Sequence, residues 1–267
     1  NFAEYEAVVD LQRAVWQCDD IELTPPDLLK MHGELGGVVL AAWEPGGRPV
    51  GFVYSLLGLK NGRMRHWSRM LGVLPEYRDR GLGRLLKWKQ RDAILAQGIT
   101  LCRWTYDPLE ARNAYLNIVK LGAESFEYQP NVYGNARNEL DSGLPTDRLI
   151  ANWQLDSARV EAASRGEFQR IDADINSLPA AIDYETEGGF MRVKSVKSDH
   201  EVPLVLLPVP ANFQLLKSKD MDAAANWRMA VREAFMALFG RGYVLVDVIP
   251  PQEKGVATVH YILEKKK

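Results

Sequence analysis

The residues best placed to do chemistry run Val73-Leu74-Pro75-Glu76-Tyr77-Arg78-Asp79-Arg80-Gly81-Leu82-Gly83-Arg84-Leu85-Leu86. A strand-like run stops at Pro75, a loop with two glycines follows, and a helical pattern begins. The first amides of a helix have no partners inside it and lie at the positive end of its dipole. Such a turn can hold an anion, phosphate above all. Gly81 and Gly83 would let backbone approach a phosphate with no Cβ in the way, and Arg78, Arg80 and Arg84 add positive charge. An ordinary strand-to-helix turn with solvated arginines would use the same residue types. The spacing is not G-x-G-x-x-G, and no Gly-Lys-Ser or Gly-Lys-Thr occurs. Neither the dinucleotide fingerprint nor a P-loop is therefore present.

Groups able to move a proton flank this segment. His66 titrates near neutrality when unperturbed, and it shares strand parity with Ser68, so both face one side of a sheet. A partly exposed strand histidine is the plain alternative. Asp107, before Pro108, can act as a base or as a turn or cap carboxylate. Tyr106 alternates with Trp104 and Cys102 on one strand face, and Asp107 falls on the other. A regular strand cannot aim both into one cleft, so Asp107 is the expected polar group beside an acceptor. Glu76 is expected to be a solvated loop carboxylate.

Those residues need elements to position them. Ala7, Val8, Leu11 and Val15 recur at helical spacing over 4–16, and Pro26 can open a second helix containing Leu28, Leu29 and Met31. Val38–Trp43, Val50–Leu59 and Met64–Leu74 read as strands. Asn61-Gly62 is a strong hairpin signal, so the three form an antiparallel meander. Leu82, Leu85, Leu86, Ala93 and Ala96 recur near the helical period, with Gly98 as a C-cap. A strand over 99–106, a helix over 110–121, and strands near 124–129 and 149–155 follow. The strands leading into the glycine loop and into Asp107 should be neighbours and parallel.

Composition narrows the class. The chain has 267 residues, 46% hydrophobic and 25% charged, with a net charge of −2. These values suit a folded α/β protein, give no basic field for nucleic acid or anionic lipid, and include no apolar run long enough for a membrane helix. Cys18 and Cys102 form no CxxC pair, and His32, His66, His200 and His260 are scattered. No disulfide framework and no metal site are expected, as in a reducing cytoplasm. Asn1 opens the chain without methionine or a signal-peptide pattern. A trimmed or partly disordered amino terminus, with a first strand missing, is expected there.

Arg78-Asp79-Arg80-Gly81-Leu82-Gly83 resembles the R/Q-x-x-G-x-G/A pyrophosphate loop of the GNAT acetyltransferases. Val73-Leu74-Pro75-Glu76-Tyr77-Arg78 is similar to the end of that family's fourth strand, and the order of elements agrees over about residues 1–155. The resemblance implies the GNAT fold with its mixed central sheet and acetyl-CoA, or another acyl-CoA, as co-substrate. It also implies pyrophosphate on Arg78, Asp79, Arg80, Gly81, Leu82, Gly83 and Arg84, and the pantetheine arm along Leu71, Gly72 and Val73. Asn113 is the nearest match to an asparagine that family members place beside the cofactor. Many members carry a tyrosine four residues before the glycine closing this helix; here Ile118 stands there, and Tyr115 lies nearly a turn earlier. Trp104–Ala114 and Gly143–Leu149 followed by Trp153 resemble a group within the family that has an appended carboxy-terminal region.

The resulting expectation is an acyltransferase domain over 1–155 and a smaller α/β unit over 156–267. Asp156–Gly189 reads as a polar linker, Val202–Val209 as a strand, and Tyr243–Ile249 and Val256–Leu263 as two more. Trp227, Val231, Ala234, Phe235 and Leu238 form a helical core stripe, with Asp220 as cap. No glycine loop precedes that helix, so the unit should be a lid or homodimer surface and not a second acyl-CoA site. The reaction expected is direct transfer of an acyl group to a small-molecule amine, with Asp107, His66 and Tyr106 as catalytic candidates. A protein that binds acyl-CoA without turnover is the alternative.

Overall fold

The computed structural model describes residues 1–16, 20–134, 143–187, 190–251 and 257–266; Cys18, Gly189, Val256 and Lys267 lie outside them. Helices α1 (Phe2–Trp16) and α2 (Pro26–Glu34) come first, α2 starting at the proline whose fixed φ suits a first helical turn. Strands β1 (Val38–Trp43), β2 (Pro49–Lys60) and β3 (Arg63–Val73) form the expected antiparallel meander. Asn61 and Gly62 turn the hairpin at φ of 55° and 73°, the paired positive values of a two-residue type I′ turn. Val50, Phe52 and Tyr54 of β2 pack into one core with Val8, Val9 and Leu11 of α1 and Leu29 of α2.

A short 3₁₀ turn (Pro75–Tyr77) leads to α3 (Leu82–Leu95), and α3 returns the chain to β4 (Leu101–Tyr106). Strand β4 runs parallel to β3, with His66 opposite Cys102 and Trp67 opposite Arg103. The next helix differs from expectation: only Ala111–Ala114 (α4) is α-helical, and Tyr115–Lys120 is a π-helix. Strands β5 (Tyr128–Gln129) and β6 (Arg148–Gln154) complete a mixed six-stranded sheet in the order β1-β2-β3-β4-β6-β5.

Beyond it come α5 (Ala158–Ser164), β7 (Ile182–Glu187), β8 (Phe190–Val196), β9 (Leu204–Pro210), α6 (Phe213–Lys219), α7 (Met221–Gly240), β10 (Tyr243–Ile249) and β11 (Thr258–Lys265). The stretch read as a polar linker therefore holds a helix and a strand. The hairpin that β7 makes with β8 mixes apolar partners, Ile182 opposite Val196 and Tyr184 opposite Val193, with offset ion pairs of Lys194 with Glu185 and Lys197 with Asp183. The sheet order β10-β11-β9 repeats the connectivity of β4-β6-β5: strand, helix, edge strand, then a strand returning to the middle. The α7 stripe is buried as expected, and Asp220 caps the helix by accepting from the Ala223 amide at 2.9 Å.

By compactness the chain falls into two units, Asn1–Trp104 with Asn152–Ser164, and Thr105–Ala151 with Arg165–Lys267. They are not the segments 1–155 and 156–267, because β4 and β6 are each divided between them.

Candidate functional site

In the first unit, β3 delivers Leu71, Gly72 and Val73 to alternate faces. A Cβ on Gly72 would meet Phe52 Cε1 at 2.9 Å and Trp16 Cη2 at 3.0 Å, so that residue has its back to the α1 core. A Cβ on Gly83 would instead have only Leu71 Cδ2 at 3.8 Å and Val73 Cγ2 at 3.9 Å around it. The structure thus places Gly83 beside Leu71 and Val73, with room for a Cβ at ordinary contact distance, and turns Gly72 to the opposite face. The parallel register of β3 and β4 spans His66–Trp67 and Cys102–Arg103, so Arg69–Val73 run on beyond it.

The loop itself is kinked by two residues of positive φ, Asp79 at 62° and Gly81 at 79°. Glycine adopts that region without the Cβ penalty that an L-residue meets. Gly81 is the N-cap of α3 and, having no side chain, leaves that end uncapped by any side-chain hydrogen bond. Arg78 Nε donates to the Val73 carbonyl at 3.1 Å, tying the loop to the strand end. The Arg80 guanidinium lies 5.3 Å from the Tyr77 ring centroid, and Arg84 is exposed on the first turn. Uncapped amides, a left-handed kink and three arginines are the ingredients of an anion site.

His66 does not sit at an open surface. It is fully buried, with Nδ1 3.0 Å from Ser55 Oγ and Nε2 3.1 Å from Gln97 Oε1. Gln97 Oε1 only accepts, so Nε2 donates to it, while the Ser55 hydroxyl can pair with Nδ1 as donor or acceptor. Burial pulls its pKa down, and the Gln97 bond opposes this in part.

Tyr106, Asp107 and Asn113 belong to the second unit. The Tyr106 hydroxyl bonds Ser125 Oγ at 2.9 Å, and burial raises its pKa well above the ordinary value. Asp107 accepts from the Leu109 amide at 2.7 Å, which is the cap geometry. It also receives both arms of Arg228, at 2.9 and 2.6 Å, and lies 3.6 Å from Arg148. Both carboxylate oxygens are thus taken up by protein donors. Asn113 is exposed, and its amide donates to the Glu110 carbonyl at 2.9 Å. Ile118 is fully buried in core, whereas Tyr115 is half-buried.

Sequence reasoning missed two arrangements. One is the α7 pair Arg228 and Arg232, four residues apart, where Arg232 grips Asp147 at 2.8 and 2.6 Å as Arg228 grips Asp107. The i,i+4 spacing was the available signal. The other is Lys87, enclosed beneath α3. The buried positions of α3 are Leu86, Lys87, Gln90 and Ile94, whereas Leu85 is 57% exposed and Ala96 lies past the helix end. Among the described residues no group of His, Cys, Asp and Glu is arranged to hold a metal ion. None of their helices is long and apolar enough to cross a membrane.

No family model matches the chain, and no curated protein matches it. Solved structures do resemble it. The ribosomal-protein-S18-alanine N-acetyltransferase of Escherichia coli is 15% identical, with 59% of this chain and 92% of that one covered and a TM-score of 0.45. The yncA protein of Salmonella typhimurium, solved with its cofactor acetyl-CoA, is 20% identical over 59% of this chain and 91% of its own, at 0.44. Aminoglycoside 6'-acetyltransferase type Ii is 15% identical over 59% and 93%, at 0.45.

Proposed function

We propose that this protein binds acetyl-CoA, or another acyl-CoA, on the loop Arg78–Arg84 and passes the acyl group directly to an amine. The observation that carries the reading is the start of α3, left without a side-chain cap at Gly81 and placed with Gly83 beside Leu71 and Val73 of β3. The pyrophosphate would lie on the amides and arginines of the loop. The pantetheine arm would lie along Arg69–Val73, past the end of the β3–β4 register. Gly72 then serves through its backbone and its packing on Trp16. The neutral form of the amine attacks the thioester carbonyl held beside it, the C–S bond breaks, and the thiolate, with a pKa near ~8.5, leaves without a dedicated acid while the amine's proton passes to water or to the departing sulfur.

In this reading His66, Tyr106 and Asp107 are structural. Each is buried with its polar atoms bonded to protein partners, and none presents an open proton-accepting atom. That same observation favours a second reading, binding of acyl-CoA without turnover. Calorimetry with acetyl-CoA on the wild type and Gly83→Val tests the shared part: binding by the first and tenfold or weaker binding by the second is expected. CoA release with a panel of amines then separates transferase from sensor.

A further inference from the structure

Lys87 is 2% exposed. Its Nζ donates to Ser68 Oγ of β3 at 3.1 Å and to Gln90 Oε1, three residues on, at 2.7 Å. It also lies 3.6 Å from the ring centroid of Trp104 on β4 and 5.1 Å from that of Trp153 on β6. The two indoles meet edge to face at 5.6 Å. Gln90 Oε1 accepts from both Lys87 and Ser68, while its buried Nε2 has no hydrogen-bond partner among the described residues. Turning the amide over would aim that donor at the ammonium, so the cation dictates an orientation that strands a donor. A well-packed apolar side chain would fill this space without that penalty. Stability alone does not explain a lysine here.

We propose that Lys87 is a positioning residue for the cofactor loop: through Ser68 and Trp104 its ammonium fixes the roll of α3, and with it the aim of the amides at Gly81–Arg84. This rests on the reading of that loop as the acyl-CoA site. Lys87 sits one turn beyond Gly83. The helix cannot turn about its axis without drawing Nζ off the indole face or off Ser68.

Burial brings the Lys87 pKa down to about 8, so its charge fades in mildly alkaline solution. The other titratable or charged groups around it are few. The Cys102 thiol on β4 is pushed up by burial, and His66 on β3 is pulled down below this range. The Arg91 guanidinium of α3 donates to the Leu155 carbonyl at 2.8 Å. By linkage, a ligand that prefers the charged form raises the pKa of Lys87 and takes up a proton on binding.

The test is calorimetry of acetyl-CoA with the full chain from pH 6.5 to 9.5, using buffers of different ionisation enthalpy near pH 8. Wild-type affinity should weaken about threefold to tenfold across that range, with fractional proton uptake near pH 8. Lys87→Met should bind at pH 7 as weakly as the wild type does at pH 9.5, without proton uptake. Gln90→Glu places a carboxylate on the ammonium and should move the profile up by about one pH unit or more. Cys102→Ala should keep the profile and move it, if at all, slightly down, since the thiol pulls the Lys87 pKa up against the larger effect of burial. Wild-type affinity and proton uptake in Lys87→Met would overturn the proposal, as would an unshifted Gln90→Glu profile if Lys87→Met does not fold. Loss of the profile in Cys102→Ala would assign it to the thiol and overturn it too. Absence of any acetyl-CoA binding by the wild type at pH 6.5 would instead overturn the reading of the loop itself.

Discussion

The guanidinium of Arg228 donates to both carboxylate oxygens of Asp107, at 2.9 and 2.6 Å, and the two residues are 2% and 9% exposed. A helix position in the carboxy-terminal half thus holds a turn that follows β4. If Asp107 were only a cap, asparagine would replace it at little loss, since both side chains cap well. With Arg228 present the expectation changes. Asp107→Asn strands a buried guanidinium and should destabilise the protein by about 3–5 kcal/mol. Replacing both partners by apolar residues, as in Asp107→Leu with Arg228→Met, should restore part of that loss. Urea denaturation of the single and double variants measures it. A loss below about 1 kcal/mol in Asp107→Asn would return the residue to the simple cap role.

Gly72 and Gly83 should separate stability from binding. A methyl on Gly72 runs into Phe52 and Trp16, so Gly72→Ala should lower stability by about 1–3 kcal/mol through overpacking. Gly83 has room for a Cβ and no positive φ, so Gly83→Val should change stability by less than about 1 kcal/mol. Its loss should fall on acetyl-CoA affinity, at about 1–3 kcal/mol, as backbone bonds to a charged group are blocked. Thermal melts beside calorimetric titrations check both variants. Equal melting losses with unchanged affinity would remove Gly83 from the site.

The meander and the loop were legible because their signals are local. Asn61-Gly62 needs no tertiary context to turn a hairpin, and Pro75, Gly81 and Gly83 break and restart structure by their own conformational limits. The burial of His66 was not legible, because its partners Ser55 and Gln97 come from β2 and from beyond α3. Asp107 misled for the same reason: the arginine that claims it lies 121 residues away. Lys87 was hidden by type, since a lysine in an amphipathic helix reads as solvated. Its place in the 86, 87, 90 and 94 stripe was the signal available. The β7–β8 hairpin escaped because charged residues, paired as Lys194–Glu185 and Lys197–Asp183, interrupt its apolar positions.

His66 predicts an acid-side loss of stability. Its folded pKa is below the unfolded value of 6.5. Between the two, the unfolded chain binds more protons, so stability rises with pH and is lost as pH falls from about 6.5. His260, also lowered by burial, acts in the same direction. Chemical denaturation from pH 7.5 to 5 should show that slope, and His66→Gln should reduce it while the His260 share persists. An unchanged slope in His66→Gln would mean that the imidazole is protonated in the native state.

Lys87 predicts the opposite relation between stability and function. Its folded pKa, about 8, lies below the ordinary lysine value of 10.5. Between these values the unfolded chain again binds more protons, so wild-type stability rises with pH over this window. Below pH 8 the native state carries the full penalty of a buried ammonium. Lys87→Met removes that penalty and keeps most of the packing against Trp104 and Trp153. Ser68 retains Gln90 Oε1 as its acceptor, at 3.2 Å, so the substitution strands no hydroxyl. The variant should therefore be more stable than the wild type by roughly 2–3 kcal/mol at pH 7, and the gap should close as pH approaches 10.5. Guanidinium denaturation of both proteins at pH 7, 8.5 and 10 measures the gap. A Lys87→Met protein less stable than the wild type at pH 7 would show that the bonds to Ser68 and Gln90 and the indole contact outweigh desolvation. The lysine would then be held for stability, with no separate function needed to explain it.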